Sequence, residues 1–96
     1  MMTSLQHGGT YLPIDSDLRG TVTDIQNEDP VILTIESRIT HRLQIVKSEI
    51  IFISEDPDIE AESIDLDMLL RRKVSIFRTS NNYRILVRKG QEKQNE

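Results

Sequence analysis

The sequence predicts a small, mostly β domain, and three observations carry that expectation. Apolar and polar residues alternate on both sides of Ser80-Asn81-Asn82, which has turn chemistry. Eleven of the twenty-three residues from 31 to 53 are β-branched. The aromatics are only two Phe and two Tyr, so Ile, Leu and Val must fill the interior, a composition that suits strands.

Taken in order, residues 1–10 are small and polar, with Gly8-Gly9, and residues 91–96 are wholly polar. Both read as flexible tails on a single domain spanning residues 11–90. Tyr11-Leu12-Pro13-Ile14 is a short apolar patch in which Pro13 disfavours a central strand, and Asp15-Ser16-Asp17 follows as an acidic turn. Residues 18–26 form a first strand with Gly20 at a bend, closed by Asn27-Glu28-Asp29-Pro30.

Residues 31–53 carry two patterns. Ile35, Ile39, Leu43, Val46, Ile50 and Ile53 recur at spacings of 4, 4, 3, 4 and 3, which fits one face of a helix. Val31, Leu33 and Ile35 alternate, as do Leu43 and Ile45, which fits strands. The strand reading places a strand at 31–36, a turn near Ser37-Arg38, a strand at 40–46, one helical turn at Lys47-Ser48-Glu49 and a strand at 50–54. The alternative is an α+β domain in which a helix at 34–53 packs on a C-terminal hairpin.

The order of Gly20-Thr21-Val22 opening a strand, then strand, short turn and strand over residues 43–53, resembles small SH3-like and Sm-like barrels. The resemblance covers about forty residues and implies a barrel of five or six strands. The Gly and Asn signatures of an Sm-family RNA pocket are not evident, so it implies a fold and not uridine binding.

Pro57 ends the preceding strand, and Ser63 caps a short helix at 64–71. Asp65 and Asp67 lie near its positive end and Arg71 and Arg72 near its negative end, with Ile64, Met68 and Leu69 facing the core. The last element is a hairpin with a two-residue turn at Ser80-Asn81 or Asn81-Asn82, where Asn tolerates positive φ. Either turn gathers Val74, Ile76, Tyr83, Ile85 and Val87 on one face and Ser75, Phe77, Arg84, Leu86 and Arg88 on the other.

Charge is strongly polarised along the chain. Residues 1–70 hold four bases and fourteen acids, net −10, and residues 71–96 hold eight bases and two acids, net +6, which sum to the formal −4. Halves of opposite sign meet each other or a charged partner. Seven acids fall in residues 55–67, and Asp56, Asp58, Glu60, Glu62 and Asp67 occupy positions 1, 3, 5, 7 and 12 of a calcium-loop pattern. Positions 6 and 12 of such a loop require Gly and Glu, and here they are Ala61 and Asp67, so a solvated acidic loop is expected instead.

Other chemistry has little support. The chain has no cysteine, hence no disulfide or thiolate site. His7 and His41 are too few for zinc, and no nucleophile elbow, phosphate loop or dinucleotide fingerprint occurs. The longest apolar run, residues 50–53, is far below the ~20 residues of a membrane helix. The N-terminus resembles no secretion signal.

The functional expectation is therefore a non-enzymatic, cytoplasmic binding or regulatory module without cofactor or metal. It acts through protein contacts, with self-association as one form of them. Phe77, Arg78, Arg84, Leu86 and Arg88 form its positive contact face, and Asp56, Asp58, Glu60 and Glu62 its negative one. Single-stranded RNA or DNA is the alternative partner, because an aromatic among arginines also suits bases and phosphates.

Overall fold

The computed structural model describes residues 9–90, so most of the expected N-terminal tail and all of the C-terminal one lie outside the described residues. The strands are β1 (Asp17–Gln26), β2 (Val31–Glu36), β3 (Thr40–Ile45), β4 (Ile50–Ser54), β5 (Lys73–Arg78) and β6 (Tyr83–Val87). They form one six-stranded sheet in the order β3-β2-β1-β5-β6-β4. Every neighbouring pair is antiparallel except β4 and β6, which are parallel. The chain is mostly β, as its composition predicts.

The long helix does not form. Residues 34–53 are divided among β2, β3, the 3-10 turn Lys47–Glu49 and β4. The helical spacing was coincidental: Ile39 and Val46, which would lie on its apolar stripe, are 64% and 38% exposed at strand ends. Alternation decides instead, with Val31, Leu33 and Ile35 inward from β2 and Leu43 and Ile45 inward from β3.

β1 is the strand that the two halves share. Its first five residues pair with β5 and its later ones with β2, and Thr21 pairs with both Lys73 and Glu36. The register shifts between Val22 and Asp24, so inward positions run Leu18, Gly20, Val22 and then Ile25. Gly20 sits at the bend for a steric reason: a Cβ there would stand 2.5 Å from the Glu36 carbonyl oxygen.

One core results, with Val22, Leu33, Ile35, Ile45, Val74, Ile76 and Ile85 at its centre. The sheet curls around it without closing into a barrel, since the outermost strands β3 and β4 are joined in sequence but not by a ladder. The reason lies in what each edge does. β4 turns to pair in parallel with β6, and the outer edge of β3 is taken by Thr10, whose N–H donates to the Arg42 carbonyl and whose carbonyl accepts from the Gln44 N–H. Leu12, only 8% exposed, then enters the core from the same segment.

The short helix expected at 64–71 forms as a four-residue 3-10 helix, Leu66–Leu69, preceded by another, Ala61–Ser63, rather than as an α-helix. Asp65 rather than Ser63 caps Leu66–Leu69, its carboxylate accepting from the Met68 N–H. A three-residue period then places Leu66 and Leu69 inward together and leaves Met68 exposed.

Candidate functional site

The hairpin of β5 and β6 splits its side chains as parity demands. Val74, Ile76, Tyr83, Ile85 and Val87 are each no more than 1% exposed. Fully burying such a side chain contributes about 1.5–3 kcal/mol, so this face fixes the register and thereby aims the opposite one. The turn is Ser80-Asn81, closed by the Thr79 N–H donating to the Asn82 carbonyl. Neither turn residue has positive φ; the Thr79 hydroxyl oxygen instead accepts from the N–H groups of Asn81 and Asn82.

The outward face is wider than the hairpin because β4 and β1 extend it. Ile51 pairs with Arg84, Arg84 with Phe77, and Phe77 with Asp17, giving one row across four strands. The next row is Ile53, Leu86, Ser75 and Arg19. A third, formed by Lys73 beside Thr21 and by Arg88, whose N–H donates to the Lys73 carbonyl, lies toward the sheet end. Ile51, Ile53 and Phe77 are 43%, 38% and 39% exposed, side by side with half-buried Leu86. Arg84 is exposed and makes no ion pair among the described residues.

Four of the five residues expected on the positive face are therefore together: Phe77, Arg84, Leu86 and Arg88. Arg78 is not among them. By parity it lies on the inner side, where its guanidinium donates to the Leu12 carbonyl at 2.8 Å and stands over the Tyr83 ring. The hairpin also has no free edge, since β5 pairs with β1 and β6 with β4; the open edge belongs to β4.

Among the described residues, the acidic loop pairs with the basic segment through its own first residues. Glu55 reaches the Arg88 Nε at 3.7 Å, and Asp56 accepts from Arg72 at 3.3 Å. The first pair is open to water and is worth about 0–1 kcal/mol. The second is more sheltered, with the Asp56 side chain only 14% exposed. The Asp58 N–H donating to its carboxylate holds the Asp56 pKa below the ordinary value, against its partial burial, with the Gly90 N–H and Arg72 adding to the effect. Asp56 is thus an internal anchor, while Asp58, Glu60 and Glu62 are exposed on the loop beyond it.

No protein-family model matches this chain, and no curated protein or solved structure matches it. Function must be argued from the geometry.

Among the described residues, no three acidic or histidine side chains converge as a metal site requires. His41 lies half-buried on the core side of β3, in line with Leu43 and Ile45, rather than facing solvent; His7 is outside the described residues. No helix among them is long and apolar enough to cross a membrane. The sequence reading missed Ile51, Ile53 and Arg19. For the first two a signal existed: Ile50-Ile51-Phe52-Ile53 alternates in a one-layer sheet, so half of that apolar run has to face out.

Proposed function

We propose that this chain is a non-enzymatic binding module that docks a protein partner on the outer face of β4, β6 and β5. The observation that carries the reading is the adjacency of Ile51, Ile53, Phe77 and Leu86 around Arg84. Single exposed apolar residues are ordinary, whereas a contiguous group of them is a mark of contact surfaces. An aromatic and an arginine among aliphatic groups match the composition of interface centres. The open edge of β4 beside them adds backbone groups that can accept a further strand. Arg84 selects a partner that brings a carboxylate to the apolar patch, and the exposed acids Asp58, Glu60 and Glu62 offer the same partner a negative surface.

The test is affinity capture with the wild-type protein and with Phe77→Ser, Ile51→Ser and Arg84→Glu, all at exposed positions. One protein retained by the wild type and lost from each variant, with thermal stability unchanged, is the expected result. Equal retention by all four would remove this face from the function. A second reading, single-stranded nucleic acid, is favoured by one observation: Glu55 and Asp56 tie the loop to Arg88 and Arg72 and leave Phe77 and Arg84 open. It predicts captured nucleic acid whose affinity falls steeply with salt.

A further inference from the structure

At the sheet end of the outer face, Arg19, Thr21, Lys73 and Arg88 surround a shallow cleft of about 250 Å³ whose remaining lining is Gly20 and Val74. This is ample for a phosphoryl group, since one water's share of liquid is ~30 Å³. Arg19 and Lys73 make no ion pair among the described residues, and Arg88 has only Glu55, at 3.7 Å. The Arg88 guanidinium also donates to the Ser75 hydroxyl oxygen at 3.5 Å, which helps to orient it toward the cleft. Of the other nearby carboxylates, Asp56 is paired with Arg72, and Glu36, opposite Thr21 on β2, accepts from the Thr40 hydroxyl at 3.2 Å and keeps its charge.

Three cations line the cleft, against Glu55 on Arg88 and Glu36 across Thr21, so its charge is net positive. A phosphate monoester carries ~1.5–2 negative charges at neutral pH, which the positive lining attracts, and guanidinium forks fit its oxygens. A nucleic-acid strand would need cations continuing along its path, and the next outward positions along the face are Leu86 and Ser75 and then Arg84, Phe77 and Asp17, where the single cation shares its row with a carboxylate. We infer that this cleft binds a phosphate monoester, with Arg19, Lys73 and Arg88 holding its oxygens. The ester belongs either to a free phosphorylated small molecule or to a phosphorylated side chain. The site stands whether or not the apolar strip docks a protein.

The experiment is a titration of the isotope-labelled protein, followed by amide NMR shifts, with a short phosphoserine peptide, its unphosphorylated counterpart and inorganic phosphate. Shifts at Gly20, Thr21, Lys73 and Val74 with the phosphopeptide and not with its counterpart are expected. Arg19→Glu with Lys73→Glu should weaken them ~tenfold or more, because each charge-assisted contact is lost. Phe77→Ser should leave them unchanged, which separates this site from the protein-docking face. Inorganic phosphate binding as well as the peptide assigns the site to a free phosphorylated molecule, and weaker binding assigns it to a phosphorylated chain. Absence of shifts, equal shifts with the unphosphorylated peptide, or shifts produced only by a single-stranded oligonucleotide would overturn the inference.

Discussion

The Arg78 guanidinium stands over the Tyr83 ring, 4.7 Å from its centroid, and donates at 2.8 Å to the Leu12 carbonyl. Arg78 and Tyr83 are cross-strand partners at the turn end of the hairpin, so one side chain ties β5, β6 and the N-terminal segment together. Charge-assisted bonds and cation–π contacts contribute about 1–3 kcal/mol and 0.5–2 kcal/mol, and they overlap here. Arg78→Ala is expected to destabilise the fold by about 1–3 kcal/mol, read as a lowered urea midpoint. Arg78→Lys recovers only part of it, because an ammonium cannot stack and donate in the same geometry.

The 3-10 turn at Leu66–Leu69 gives a contrast between neighbours. Leu69 is fully buried and Met68 is 37% exposed. Leu69→Ala should cost about 2–5 kcal/mol, through lost burial and the cavity left behind. Met68→Ala should stay within about 0.5 kcal/mol, as for a surface position. Chemical denaturation of the two variants checks both; similar losses would restore an α-helical face in which Met68 points inward.

Local parity was legible from the chain, and non-local pairing was not. β2 and β4 occupy the residues expected, and the inner hairpin face is the one that alternation selects. Those features follow from side chains two residues apart, within reach of pattern reasoning. The parallel partnership of β4 with β6 brings Ile51 beside Arg84 across more than thirty residues of chain, and no local signal states it. The same gap hid Arg19, which joins the basic cleft only because β1 lies against β5. Arg78 was placed with the contact face although it shares strand parity with Val74 and Ile76, and its inner place is explained by the Tyr83 ring and Leu12 carbonyl, neither adjacent to it in sequence.

At Gly20 the backbone of β2 passes too closely for any side chain. An added Cβ would lie 2.5 Å from the Glu36 carbonyl oxygen and 2.7 Å from the Ile35 Cγ2. Backbone cannot withdraw without breaking the Thr21–Glu36 pairing that makes β1 the shared strand. Gly20→Ala is therefore expected to destabilise by about 1–3 kcal/mol, despite the gain in chain stiffness that Ala ordinarily brings. A raised melting temperature in calorimetry would show that the bend relaxes at little cost.

Asp56 links acid stability to the fit of the acidic loop against the hairpin. Its pKa is lowered from an ordinary 3.8, first by the Asp58 N–H and further by the Gly90 N–H and Arg72, in opposition to desolvation. A carboxyl whose folded pKa lies below its unfolded one adds stability that is present above the unfolded value and is lost as pH falls through the folded value. Asp56→Asn keeps an oxygen for the Asp58 N–H but removes the charge, leaving Arg72 without its carboxylate partner. The variant should thus melt below the wild type at neutral pH, and the gap should narrow as pH falls below 3.8. Melting curves of both proteins across that range test the point. A gap that stays constant on acidification would mean that Asp56 acts through packing, and one that widens would reverse the sign of the linkage.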